Sequence, residues 1–148
     1  MIEITFPDGA SRSYEINSSP HDIANSISEG LARNVISANF NNKTIETTTK
    51  LTESGKLVFY TWNDSEGKKA FWHSSAHILA QVLEEFYSGI KLTIGPAISN
   101  GFYYDVDFGD KIMSEKDFPK IEKRMIEISR AKHQFELKSK SKKDALDY

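Results

Sequence analysis

Between residues 71 and 107 the spacing of apolar side chains changes abruptly, and that change restricts the fold more than any other feature of the chain. Residues 71–87 read FWHSSAHILAQVLEEFY. Trp72, Ala76, Leu79, Ala80, Leu83, Phe86 and Tyr87 recur at helical intervals, so an amphipathic helix is predicted, closed by Gly89. The next residues, SGIKLTIGPAISNGFYYDVD, predict strands at 92–94 and 102–108, punctuated by Gly95-Pro96 and Asn100-Gly101. Ser114, with Asp117 three residues on, predicts the start of another helix whose core face is Phe118, Ile121, Met125 and Ile128. Residues 135–139 read as extended and 141–148 as the beginning of a further helix. Two amphipathic helices need a sheet to cover, and residues 63–148 offer only two or three strands. This half is expected to be an incomplete α+β domain.

The first 62 residues carry a different pattern. Ile2, Ile4 and Phe6 alternate with polar residues, Pro7-Asp8-Gly9 is a turn, and residues 11–16 resume a strand, which together predict a hairpin. Ser19-Pro20-His21-Asp22 is a helix start with a cap, a proline suited to the first turn and an acid three residues on. Ile23, Ala24, Ile27 and Leu31 form its apolar stripe, and Gly30 is the expected end. Strands follow at 35–40, 44–48 and 57–62, with Asn41-Asn42 as a turn between the first two. Two strands, a helix, then three strands in so short a span is the order of a β-grasp, or ubiquitin-like, fold. Residues 63–69 (NDSEGKK) are polar and contain glycine, so the boundary between two domains, 1–62 and 63–148, is expected there.

The chain has no cysteine. That removes disulfides, a thiol nucleophile and thiolate metal ligands from consideration. No apolar run reaches about 18 residues, so no membrane span is expected, and no leader pattern opens the sequence. A cytoplasmic location is the expectation. Charge is uneven: residues 1–62 hold five Lys/Arg against seven Asp/Glu, whereas residues 111–143 hold eleven against five. The basic stretch reads either as a solvated helix face or as a surface near a phosphate backbone.

His73 and His77 lie four residues apart on the predicted helix, on the flank of its apolar stripe, about 90–130° from the stripe centre. Imidazoles at that spacing are neighbours. They can share a metal, polarise a substrate and a water, or be two ordinary half-exposed histidines. Ser rather than Glu follows His73, so the metalloprotease pattern H-E-x-x-H is absent, and a zinc site would need a third ligand. No metal ligand is assigned. His21 and His133 stand alone, and Ser74 and Ser75 read as structural. Tyr103, Tyr104 and Asp105 alternate on a strand, where one tyrosine faces a pocket or both pack. Gly95-Pro96 brings backbone groups close to whatever lies beside it.

SPHDIA in the first half, then HSSAHILAQ and IGPAISNGFYYDVD, resemble the N-terminal part of bacterial-type threonyl-tRNA synthetases over essentially the whole chain. The resemblance implies a TGS domain at 1–62 and the first part of an editing domain at 63–148. It implies that the full enzyme joins threonine to its tRNA using ATP, and that this region contacts the tRNA acceptor arm and helps remove serine from mischarged tRNA. His73 and His77 match the family's editing pair, expected to orient the 3′-terminal ribose ester and position a water. Tyr104, Gly95 and Pro96 fall where the family's pocket wall is expected. The family's later editing residues, including a cysteine-containing segment with another histidine, have no counterpart here. This chain alone is therefore expected to lack ligase activity and to have little or no editing. No cofactor is expected within it; ATP with magnesium, zinc and a homodimer interface are implied for a catalytic domain outside it. Neither DNA nor membrane is an expected partner. The rivals are an RNA- or protein-binding β-grasp module with a structural histidine pair, and a metal-dependent hydrolase with His73 and His77 as ligands.

Overall fold

The computed structural model describes residues 1–133 and 140–146. Its first unit contains β1 (Ile2–Thr5), β2 (Ser11–Tyr14), α1 (Pro20–Ile27), α2 (Glu29–Asn34), β3 (Ser37–Phe40), β4 (Lys43–Ile45) and β5 (Gly55–Tyr60). The strands form one mixed sheet in the order β2-β1-β5-β3-β4. β1 and β5 run parallel, and every other pairing is antiparallel. This is the β-grasp predicted from the order of elements.

Turn chemistry sets the register. Gly9 takes a positive φ of 84° in the first hairpin, and its amide donates to the Phe6 carbonyl at 3.0 Å. Asn41 and Asn42 both take left-handed backbone, the pair of conformations a two-residue hairpin needs. The resulting register puts Ala38 opposite Phe59 and Phe40 opposite Leu57. Ile2, Ile4, Ala38, Phe40 and Leu57 meet Ile23 of α1 in one buried core. Leu51 joins that core from an irregular segment that exchanges backbone hydrogen bonds with Asn17 and Ser18.

The predicted cap of α1 is present. The Asp22 amide donates to Ser19 Oγ at 3.2 Å, and the Ser19 amide donates to Asp22 Oδ2 at 2.9 Å. Gly30 does not end the helix as expected. Ser28 adopts extended backbone, stops α1 at Ile27, and accepts from the Leu31 amide to cap α2, which places Gly30 inside the second helix. A serine that caps the next turn competes with continuation of the first.

The second unit is built on α3 (Ser65–Phe86), which begins six residues earlier than the apolar pattern predicts. Much of the polar segment 63–69 is thus the first turn of this helix rather than an open linker. Asp64 makes the turn: its Oδ2 accepts from the amide and hydroxyl of Thr61 at 2.7 and 3.0 Å. Ala76, Ala80 and Leu83 are buried as predicted, but Phe86 is 38% exposed, and Val82, outside the predicted stripe, is fully buried. The helix has a second covered side, against α4 (Phe118–Ala131). Val82, Leu83 and Tyr87 pack there with Ile121 and Ile128. Phe118, expected in that core, is 45% exposed.

Between the two helices lie β6 (Lys91–Leu92), β7 (Ala97–Ile98), β8 (Gly101–Phe102) and β9 (Val106–Asp107). The strand predicted at 102–108 is interrupted at 103–105. β8 turns back on β7 and β9 pairs with β6, so the two hairpin levels share no continuous strand. The cap predicted at Ser114 is present, but it opens a 3-10 turn (Glu115–Asp117) that leads into α4. A short α5 (Lys142–Leu146) matches the helix start read at 141. The extended stretch expected at 135–139, and residues 147–148, lie outside the described residues. Among the described residues no helix is long and apolar enough to cross a membrane.

Candidate active site

His73 and His77 project from one exposed face of α3, one turn apart, as their spacing dictates. Their Nε2 atoms are 3.1 Å apart, and the rings meet edge to face with centroids 4.6 Å apart. At that distance one nitrogen must donate and the other accept. At least one ring is therefore neutral at Nε2 and holds a lone pair toward its neighbour. Such a pair can take a proton from one group and return it to another. Among the described residues neither ring has a further hydrogen-bond partner, so no third side chain orients them. No group of three His, Cys, Asp or Glu gathers closely enough to hold a metal among those residues either.

Ser74 and Ser75 spend their hydroxyls on the carbonyls of Ala70 and Phe71, both at 2.9 Å. Hydroxyls bonded back to the preceding helical turn are structural, as read from the sequence. The His21 amide donates to the Thr47 carbonyl at the start of α1, remote from the pair in the fold.

His133 is different. α4 returns antiparallel across α3, which brings its last turn beside His77. His77, Gln81, Ser129, Lys132 and His133 rim a cleft of about 280 Å³ floored by Ile78 and Ile128. His133, isolated in the sequence, is thus beside His77 in the fold. The antiparallel return of α4 is a tertiary fact, and the only local hint of it was the apolar stripe through Ile121 and Ile128.

Tyr104 and Gly95 also come together. A Cβ on Gly95 would collide with the Tyr104 ring, so the missing side chain is what lets that ring approach the backbone. Tyr104 then lines a larger, mainly apolar cleft of about 540 Å³ with Leu79, Leu83, Val106, Phe108 and Ile121. Pro96 is half-buried beside Gly95, and Tyr103 is 49% exposed. The candidate residues thus form two groups. Leu79, which faces the larger cleft, is roughly 120–160° around α3 from the histidines, and Leu83, which also lines it, is about 80° from His73 and about 120° from His77.

The carboxylates held below their usual range lie in structural pairs and caps. The Arg124 guanidinium, donating to Glu85 at 2.7 Å, lowers that carboxyl and joins α3 to α4. Lys120, then the Ser114 amide, hold Asp117 low, and the Ser19 amide does the same for Asp22.

Residues 2–61 match the TGS domain family. Over its whole length the chain is similar to the threonine--tRNA ligases of Flavobacterium psychrophilum, at 63% identity over 147 residues, and Flavobacterium johnsoniae, at 60% over 147. It is 51% identical over 148 residues to that of Cytophaga hutchinsonii. These matches cover 99–100% of this chain but only 23% of each relative. The resemblance read from the residues is therefore upheld, and the chain spans about a quarter of the length of the ligases it matches.

Proposed function

We propose that this chain, whose residues 2–61 belong to the TGS family and whose full length has threonine--tRNA ligase sequence, serves within such a ligase as a hydrolytic checkpoint on the charged tRNA. The full-length polypeptide would join threonine to tRNA(Thr) with ATP in the cytoplasm. The ATP, magnesium and zinc sites and a homodimer contact belong, on this reading, to polypeptide beyond residues 1–148. The need for a checkpoint is physical. Serine lacks one methyl of threonine, and a missing methyl is worth only about 1–3 kcal/mol in a binding pocket, or roughly 10–200-fold. A second site that destroys the seryl ester supplies the remaining discrimination.

The observation that carries the reading is the His73–His77 pair, with Nε2 atoms 3.1 Å apart on an open helix face beside a cleft. Water attacks the ester carbonyl, and the neutral imidazole takes the proton that water loses. The carbonyl oxygen becomes an oxyanion. Collapse then breaks the ester bond and expels the terminal ribose oxygen, which takes the proton back from the imidazolium. Each atom is accounted for: serine leaves as the free acid and the tRNA regains its hydroxyl. In the same reading the tRNA acceptor arm lies along this face, with Lys132, which rims the cleft beside His77, near its phosphates. Tyr104, with Gly95 and Pro96 beside it, lines the separate larger cleft, so on this reading these residues would bound the neighbouring surface rather than the pair's own cleft.

One observation favours a rival. Both rings are exposed and lack a third orienting partner among the described residues, which suits a TGS-based RNA- or protein-binding module with a structural pair. The two readings separate in a charging assay on the full-length ligase supplied with serine. Editing predicts that His73→Ala/His77→Ala accumulates seryl-tRNA(Thr) while threonine charging persists. No accumulation would leave the binding module as the account.

A further inference from the structure

We infer that Trp62, at the end of the TGS unit, is a positioning residue for the His73–His77 pair. This inference rests on the editing reading above.

Trp62 follows β5 by two residues and packs edge-on against two consecutive rings of α3. Its centroid is 5.1 Å from Phe71, at 84°, and 5.6 Å from Trp72, at 69°. Trp72 reaches onward to Phe102 of β8 at 6.3 Å. Rings from the TGS unit, from α3 and from the β7–β8 hairpin thus form one chain of contacts, and its central member, Trp72, is the residue immediately before His73. Edge-to-face pairs of this kind have a preferred geometry, which makes them directional as well as apolar. Lys68 Nζ, 5.9 Å from the Trp62 ring centroid, adds a further contact.

The backbone beneath the rings is equally constrained. A Cβ on Gly67 would collide with the Thr61 carbonyl oxygen, so the first turn of α3 rests directly on the last residues of the TGS unit. Asp64 pins the same Thr61 through its amide and hydroxyl. The far half of α3 is held separately, by α4 and the Arg124–Glu85 pair. The histidines lie between these two anchors with no side-chain partner but each other among the described residues. Their position therefore depends on how α3 is rotated about its own axis, and at their end of the helix the aromatic chain sets that rotation. A rotation of about 10° moves an atom roughly 6 Å from the axis by about 1 Å. A displacement of that size can cost on the order of 100-fold in rate.

The test uses the full-length ligase and preformed seryl-tRNA(Thr). Trp62→Ala should lower kcat for ester hydrolysis roughly ten-fold with KM little changed and threonine charging intact. Trp62→Phe, which keeps a ring against Trp72, should restore most of the rate. The interaction has its own signature as well. Trp62 and Trp72 are the two tryptophans of this chain, so the chain should give an exciton couplet in far-ultraviolet circular dichroism that Trp62→Phe removes. The inference is overturned if Trp62→Ala hydrolyses as fast as wild type, if charging falls in step with hydrolysis, or if Phe gives no rescue. His73→Ala/His77→Ala is run alongside. A wild-type rate in that variant overturns the editing reading and this inference with it. A dead histidine variant beside a fully active Trp62→Ala overturns the role of Trp62 alone.

Discussion

Ser19 illustrates how one side chain ties sequence to stability. It is 3% exposed, caps α1, and receives the Asp22 carboxylate in return. The Ser19 amide, then its hydroxyl, and Lys50 stabilise the charged Asp22 and hold its pKa below the ordinary value. The sign follows from linkage. A carboxyl with a lower pKa in the folded state adds stability above the unfolded value, near 3.9, and that stability is lost as pH falls through the folded value. Ser19→Ala should cost about 1 kcal/mol at neutral pH and should also flatten the loss of stability on going from pH 5 toward pH 2. Urea melts at several pH values check both effects. An unchanged acid slope would mean that the Ser19 hydroxyl contributes little to Asp22, since the amide that donates to the carboxylate is kept in the alanine variant. At this scale the sequence was legible, because a cap and its acid three residues on are a local code. The pairing of Gly95 with Tyr104 was only half legible: a Gly-Pro hints at close approach, but the ring that approaches comes from nine residues away.

At the scale of elements, local pattern and tertiary cover part company. The β-grasp could be read from alternation and turn residues because β1, β3 and β5 place side chains in the core and the edge strands β2 and β4 lend Tyr14 and Ile45 to its rim. α3 was harder to read. A single-stripe reading placed Phe86 inside and passed over Val82, whereas the structure has Phe86 at 38% and Val82 at 0% exposure. A helix covered on two sides by different elements has no single stripe, and the partner α4 cannot be inferred from α3 alone. The same reasoning ranks the residues of α4. Ile128 is 8% exposed and packs in the α3–α4 core, while Phe118 is 45% exposed. Ile128→Ala should therefore cost about 2–4 kcal/mol, and Phe118→Ala distinctly less. Equal losses by chemical denaturation would contradict this packing order. The strand predicted at 102–108 shows the opposite limit. Its composition is strand-like throughout, yet the Asp105 amide donates to the Ile94 carbonyl and Thr93 donates to the Asp105 carbonyl, so the chain changes partners at 103–105.

At the scale of the whole molecule, two units meet at a junction where Thr61, Asp64 and Gly67 leave no slack. The histidine pair lies on the exposed side of the helix that starts there. Its existence was readable from spacing four, because a helix makes those residues neighbours whatever else the chain does. Its surroundings were not readable. The cleft that brings Lys132 and His133 beside His77 depends on the path of α4, and the separation of the Tyr104 cleft from the pair depends on the rotation of α3. The central claim is that the pair moves the proton in serine ester hydrolysis. Its most direct test is single-turnover deacylation of preformed seryl-tRNA(Thr) by the full-length ligase, wild type against His73→Ala/His77→Ala. The account predicts a loss of at least about 100-fold in the variant, with threonine charging retained. Equal rates in the two proteins would contradict it and leave the pair as part of the scaffold.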